Sequence, residues 1–210
     1  MTLRPLPRAP LSAFAGERLP GIGHNQGPPL DAGRSWRTHA WRTARRELLP
    51  RLPLEVIRRR VARARQLGLA YPQYASILLG TGRDIVAFLF TSESLGMRLE
   101  RELAMPRLVA ERLIALERCD RLLMVEPGAD IAALGRDLAE RRLPFAALAV
   151  APPRHAAWAK GRAAIRAALD PRRLPSDAVV MVGTSAEERV WADAARLASF
   201  LPADSYFAQP

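Results

Sequence analysis

Residues 121–150 read RLLMVEPGADIAALGRDLAERRLPFAALAV, and this stretch decides the fold class. It holds two short apolar runs, RLLMV (121–125) and FAALAV (145–150), separated by a segment of helical character. A third run, AVVMV (178–182), follows another helical segment. Continuous apolar strands that alternate with helices are typical of a parallel sheet covered on both faces. The sequence therefore predicts a small three-stranded, Rossmann-like α/β domain over residues 121–207.

The helices of this α/β domain are predicted from apolar periodicity and from their caps. Ser185 and Glu188 have the spacing of a capping box, in which the serine hydroxyl and the glutamate carboxylate satisfy free backbone N–H groups. This pair places a helix start directly after the third apolar run. The predicted helices cover about 129–142, 155–169 and 186–200.

Two further regions precede the α/β domain. Residues 1–33 are rich in proline and glycine without any period, which predicts a disordered arm. Residues 34–118 are predicted to form a basic helical module. Within it, Thr81 and Asp84 resemble a capping pair before a helix that is apolar nearly all round, which implies burial. The predicted helices of the module cover about 36–49, 54–67, 72–79, 83–91 and 105–118.

The net charge of +11 lies almost entirely at one end of the chain. Residues 1–66 hold 14 arginines and no lysine against four acidic residues, whereas residues 67–210 are nearly balanced. Arginine binds phosphate oxygens in a bidentate manner, and concentrated positive charge attracts polyanions. We therefore expect a non-enzymatic nucleic-acid-binding protein that contacts phosphates with little base readout. The arginines expected to make these contacts are Arg37, Arg42, Arg45, Arg46, Arg58, Arg59, Arg63 and Arg65.

The string GIGHNQGPPL (21–30) is the most unusual local sequence. Its glycines allow positive φ, and its prolines stiffen the chain that follows. It resembles a GHNxGP-type segment near the N-termini of uncharacterised bacterial proteins. One alternative function is therefore an adaptor that docks a protein partner through this peptide. The expected docking residues are His24, Asn25, Gln26, Gly27 and Pro28.

A second alternative function places a ligand at the strand ends of the α/β domain. Open α/β sheets hold ligands at the carboxyl ends of their strands. Glu126 follows the first predicted strand, and Gly183, Thr184 and Ser185 follow the third, where their amide groups offer an anion site. This alternative is a nucleotide- or metal-dependent enzyme or sensor.

The same residues carry a resemblance to the Toprim domain, the metal-dependent module of primases and topoisomerases. Residues 122–150 resemble its first strand, helix and second strand, and Glu126 matches its conserved glutamate. The stretch VVMVGTSAEERVWADAARLASFL (179–201) resembles a later strand and helix. The family holds Mg²⁺ there with an Asp-x-Asp pair, but Thr184 and Ala186 occupy those positions in this chain. The resemblance therefore implies a degenerate relative without metal-dependent activity.

Several classes are excluded or disfavoured by composition. Cys119 is the only cysteine, which excludes an internal disulfide and a multi-cysteine metal site. No apolar run approaches the ~20 residues of a membrane span, and no signal peptide is recognisable. We expect a bacterial cytoplasmic protein that needs no cofactor.

Overall fold

The computed structural model describes residues 52–97, 104–143 and 145–208. This part of the chain is a mixed α/β structure built on one parallel sheet, which confirms the predicted fold class. The strands run in the order β3-β2-β1-β4-β5. They are β1 (Ala87–Thr91), β2 (Asp120–Val125), β3 (Ala147–Val150), β4 (Val179–Gly183) and β5 (Ser199–Pro202).

Helices connect the strands and cover the sheet. The described helices are α1 (Leu54–Gln66), α2 (Tyr71–Thr81), α3 (Arg107–Ala115), α4 (Ile131–Glu140), α5 (Trp158–Leu169), α6 (Ala186–Ala195) and α7 (Ala203–Phe207). Among the described residues, no helix has the length together with the apolar surface that a bilayer-spanning helix needs. The predicted helix at 36–49 and the predicted disordered arm lie outside the described residues.

The sheet has five strands rather than three. The three predicted strands are present as β2, β3 and β4. Of the two further strands, β1 lies between β2 and β4, and β5 lies at the edge beside β4. The predicted helix at 83–91 is wrong, because Ala87–Thr91 form β1, which pairs with β2 on one side and β4 on the other. All five residues of β1 are buried. A short apolar run fits a buried helix and a buried central strand equally well, and only its pairing partners decide.

The last predicted helix, 186–200, is too long. It ends at Ala195, because Arg196 adopts a left-handed conformation (φ 57°) that terminates α6. Residues 199–202 then pair with β4 as the edge strand β5. The capping box of Ser185 and Glu188 is confirmed at the start of α6. The Thr81–Asp84 pair does not cap a helix, since Thr81 ends α2 and bonds to the Ile77 carbonyl.

Alternate residues of β1 face opposite layers of the core. Phe88 and Phe90 contribute to one layer, together with the fully buried Tyr206 of α7. Leu89 contributes to the other layer, which also contains Trp191 of α6. Residues 53–210 thus form one compact unit, and the predicted domain boundary between residues 118 and 121 falls inside it.

Arg63 of α1 reaches the amino-terminal edge of the sheet. Its guanidinium donates hydrogen bonds to the Asp84 carboxylate (2.8 Å) and to the Ile85 carbonyl (2.8 Å) just before β1. It also donates to the carbonyls of Glu117 and Arg118 just before β2, both at 3.1 Å. These bonds attach α1 to the starts of two central strands.

Asp84 extends this network to α2. Its other carboxylate oxygen accepts a hydrogen bond from the Tyr74 hydroxyl (2.9 Å). Burial and the hydrogen bond to Asp84 raise the pKa of Tyr74 to about 12. The amino-terminal edge is therefore held by a charged network whose members satisfy one another.

Candidate ligand-binding cleft

The order of the strands leaves a crevice at the carboxyl-terminal edge of the sheet. From β1 the chain adds β2 and then β3 on one side, and afterwards it adds β4 and β5 on the other side. The loops that follow β1 and β4 therefore diverge, and ligands bind at such switch points in open α/β sheets.

A cavity of about 560 Å³ occupies this crevice, and we call it the carboxyl-edge cleft. The loops that follow β1, β2, β3 and β4 all contribute to it. It is lined by Thr91, Ser92, Glu93, Met124, Glu126, Pro127, Ala151, Pro152, Pro153, Arg154, His155, Ser185, Ala186, Glu187, Glu188 and Trp191.

The turn after β1 supplies a serine to the lining of the carboxyl-edge cleft. Thr91 and Ser94 bond to each other through both backbone and hydroxyl groups at 2.8–3.1 Å, which fixes this turn. Ser92 lies between them and its amide donates to the Met124 carbonyl (2.9 Å) of the neighbouring strand. Ser92 is only 4% exposed, yet its hydroxyl has no hydrogen-bond partner among the described residues.

The loop after β4 binds a carboxylate of the protein itself, that of Glu188. The backbone amides of Thr184 and Ser185 donate to one Glu188 carboxylate oxygen at 2.6 and 3.0 Å. Glu188 is 5% exposed, so this carboxylate is buried against the loop. A Cβ at Gly183 would lie 2.6 Å from the same oxygen, which explains the glycine at this position. The amides that the sequence suggested for an external anion already bind this side chain.

Arg154 lies at the rim of the carboxyl-edge cleft, in the loop after β3. Its guanidinium is 3.4 Å from the Glu93 carboxylate and 3.7 Å from the Glu126 carboxylate. These two glutamates follow β1 and β2, so Arg154 reaches across the ends of two other strands. Its side chain is 73% exposed, which makes both ion pairs weak.

His155 contacts the opposite side of the rim. Its Nδ1 lies 2.7 Å from the Glu187 carboxylate of α6, and its backbone amide donates to the other oxygen of that carboxylate (3.1 Å). The amide hydrogen bond, followed by the interaction with the imidazole, lowers the pKa of Glu187. His155 adopts a left-handed conformation (φ 61°), which places both groups toward Glu187.

Carboxylates outnumber cations around the carboxyl-edge cleft. Four glutamates line it, against one arginine and one histidine. In residues 52–97, 104–143 and 145–208, no three potential metal-ligating side chains approach closely enough to hold an ion. The surface therefore favours hydrogen-bond donors and cations over phosphates.

The residues predicted for ligand binding are only partly brought together. Glu126 and Ser185 line the carboxyl-edge cleft, whereas Gly183 and Thr184 shape the loop behind it. Sequence reasoning missed Ser92 and Glu93, because it placed a helix instead of β1 before them. It also missed Arg154 and His155, although their position just after the predicted strand 145–150 was a usable signal.

The residues predicted for nucleic-acid binding differ in their availability. Arg58, Arg59 and Arg65 are exposed on α1, and Arg58 pairs with Glu55 at 2.8 Å. Arg63 is 16% exposed and bonded to the sheet edge, so it is not available to a phosphate. The remaining members, Arg37, Arg42, Arg45 and Arg46, lie outside the described residues, as does the peptide His24–Pro28.

The sequence matches no protein-family model, and no curated protein is significantly similar to it.

Proposed function

We propose that residues 53–210 form a small-molecule-binding domain whose ligand occupies the carboxyl-edge cleft. One observation carries this proposal: a cavity of about 560 Å³ at the switch point of a parallel sheet, lined from the loops after four strands. Its volume lies in the usual range for sites that enclose a small organic molecule. Seven apolar residues line it beside nine polar or charged ones, and polar groups that converge on a cavity orient a bound molecule.

A nucleotide is a poor match for this cleft. The Thr184 and Ser185 amides, which would bind a phosphate, already hold the Glu188 carboxylate. The acidic excess at the rim would also repel a phosphate group. We therefore favour a ligand without phosphate over the nucleotide-dependent enzyme considered from the sequence.

Thermal unfolding with a collection of small molecules tests this proposal. A ligand at a hundred times its Kd stabilises the folded state by about 2.7 kcal/mol, which raises Tm measurably. The variant Ala186→Trp fills the mouth of the carboxyl-edge cleft from an exposed position at the start of α6. The matched control is Ala132→Trp, which adds the same indole to an exposed position of α4 away from the cleft.

We expect ligands that raise Tm for the wild-type chain and for Ala132→Trp, but not for Ala186→Trp. Ligands that stabilise both variants equally would bind elsewhere and would contradict the proposal. A collection that includes organic amines, acids, sugars and nucleotides and yields no stabilising compound would also contradict it.

We propose a second function, nucleic-acid binding by the arginine-rich first third of the chain. The observation that favours it is the net charge of +10 on residues 1–66 of a chain whose total is +11. Within the described residues, the exposed arginines of α1 contribute to this charge. Such binding would be non-enzymatic and largely independent of sequence, because arginine contacts to phosphates carry no base information.

Gel-shift titrations of the full chain at 50 and 200 mM salt test this second function. The triple variant Arg58→Ala, Arg59→Ala and Arg65→Ala should weaken binding to unrelated sequences alike and reduce the salt slope by up to about 3. The matched triple variant Arg136→Ala, Arg141→Ala and Arg166→Ala removes the same charge from exposed positions elsewhere. Equal loss in both variants, or no binding by the wild-type chain, would reject α1 as the contact surface.

A further inference from the structure

We infer that the carboxyl-edge cleft takes a small organic cation, a protonated amine attached to an apolar body. This inference rests on the proposed small-molecule function and names its ligand class. It combines the hydroxyl of Ser92, an apolar surface and acidic side chains, which are formed by different residues of the cleft lining.

The hydroxyl of Ser92 is the first observation. A hydroxyl that has no protein partner and opens into a cavity is completed by water or by a ligand. Ser92 is 4% exposed, it lines the cleft, and its hydroxyl has no partner among the described residues. A serine hydroxyl accepts as well as donates, so it can receive a hydrogen bond from an ammonium or a ligand hydroxyl.

The rim provides carboxylates whose hydrogen-bond acceptor positions are only partly occupied by protein groups. Glu187 is engaged by His155 and Glu188 by the loop amides, but Glu93 and Glu126 share only Arg154, at 3.4 and 3.7 Å. Both carboxylates are exposed, by 47% and 61%, and retain free acceptor positions. A ligand ammonium near them would be attracted, whereas a ligand carboxylate would meet an excess of like charge.

The wall provides an apolar surface for the rest of the ligand. Trp191 lines the cleft, and its indole is fixed by a hydrogen bond from Nε1 to the Ala156 carbonyl (3.4 Å). Pro127 and Pro152 contribute further apolar surface. Trp191 is only 5% exposed, so it adds apolar surface to the cleft where its side chain borders the cavity.

Calorimetry on the full chain with paired probes tests the inference. Each pair shares one body and differs in its charged group: phenethylamine with phenylpropionate, tryptamine with indolepropionate, and hexylamine with heptanoate. We expect at least one amine to bind at least tenfold more tightly than its carboxylate partner. Its affinity should fall at least tenfold in Glu93→Gln/Glu126→Gln and severalfold in Ser92→Ala, but stay unchanged in Glu140→Gln, an exposed control on α4.

The outcomes separate this inference from the proposed function. If the carboxylates bind better than the amines and lose affinity in Ala186→Trp, the cleft binds small molecules and the cation inference is overturned. If amines bind but Glu140→Gln weakens them as much as the rim variant, their attraction is nonspecific and the inference is again overturned. If neither the paired probes nor the wider collection binds, both proposals fail together.

Discussion

The two edges of the sheet each carry an arginine that contacts several other segments, and they use it differently. At the amino-terminal edge, Arg63 is 16% exposed and bonds to five acceptors, three of them backbone carbonyls. At the carboxyl-terminal edge, Arg154 is 73% exposed and reaches two carboxylates at 3.4 and 3.7 Å. Burial and the number of acceptors, rather than the residue type, separate an arginine that supports the scaffold from one that lines the carboxyl-edge cleft.

The same difference extends to the neighbouring polar groups. Around Arg63, the side chains of Asp84 and Tyr74 satisfy each other. Around Arg154, Ser92 keeps a free hydroxyl and Glu93 and Glu126 keep free acceptor positions, within the described residues. Unused hydrogen-bonding capacity therefore accumulates at the edge where parallel sheets place their ligands.

The sharpest way to break this contrast is to remove each arginine in turn. Arg63→Ala should lower the free energy of unfolding by about 3 kcal/mol, because Asp84 and the strand-start carbonyls lose a charged donor. Arg154→Ala should lower it by less than about 1 kcal/mol, because its ion pairs are exposed. Urea denaturation measures both, and equal losses would show that the two edges do not differ in this way.

We expect the next largest change in the free energy of unfolding where α5 packs against Trp191, beside the carboxyl-edge cleft. A Cβ at Gly161 of α5 would lie 2.1 Å from Cδ1 of Trp191, so Gly161→Ala forces this indole or the helix to shift. We expect the free energy of unfolding to fall by about 2 kcal/mol, a typical cost of overpacking. Thermal or urea unfolding measures this loss.

Gly135 is the matched control for that substitution. It lies inside α4, where an added Cβ has no atom within 4 Å. Gly135→Ala should therefore stabilise the protein by about 0.5–1 kcal/mol through helix propensity alone. A loss of stability in both variants would indicate that Gly161 does not owe its role to Trp191.

Substituting residues of left-handed backbone conformation should change the free energy of unfolding by a smaller amount, and this amount should differ between the two edges of the sheet. Arg118, Arg142, Arg173 and Arg196 have φ of 52–57° in turns that lead into or toward the amino-terminal edge. Arg196→Gly should raise the free energy of unfolding by about 1 kcal/mol, because glycine adopts this conformation without strain. Arg136→Gly, inside α4, should instead lower it by about 1 kcal/mol.

His155 at the carboxyl-terminal edge should respond differently to the same substitution. His155→Gly relieves a left-handed residue (φ 61°) but removes the imidazole contact to Glu187. Its gain in stability should therefore be smaller than that of Arg196→Gly. A gain equal to or larger than that of Arg196→Gly would contradict a stabilising contact between His155 and Glu187.

The smallest effect at neutral pH concerns Tyr74. Its pKa is raised to about 12 in the folded state, so the unfolded chain loses this proton first as the pH rises. The resulting stabilisation is complete below the ordinary tyrosine pKa of about 10 and is lost as the pH approaches 12. Unfolding measured between pH 8 and 11.5 should show this loss, and Tyr74→Phe should reduce its steepness. An unchanged slope in Tyr74→Phe would contradict the assignment.

Much of the fold could be predicted from the sequence where a pattern has only one solution. The runs that form β2, β3 and β4 are bounded by helices with clear apolar periodicity, and the capping box of Ser185 and Glu188 fixes the start of α6. β1 could not be predicted this way, because its apolar run suits a buried helix as well. β5 was not predicted, because it is four residues long and follows α6 after a single turn.

The candidate site was predictable only in part for the same reason. Glu126 and Ser185 follow strands that the sequence reveals, and both line the carboxyl-edge cleft. Ser92 and Glu93 follow β1, so their position at the strand ends depends on recognising that strand. Arg63 shows the opposite error, since an arginine in a basic helix has the same sequence signature whether it faces solvent or a sheet edge.

By itself, the sequence determined the parallel α/β class, the approximate positions of most described helices and the concentration of positive charge in the first third. These properties follow from local periodicity, caps and composition. Tertiary structure alone decided that β1 is the central strand, that Arg63 supports the fold, and that Ser92, Glu126 and Trp191 share one cavity. Such outcomes depend on which distant segments pair, and neither hydrophobic pattern nor charge along the chain specifies those partners.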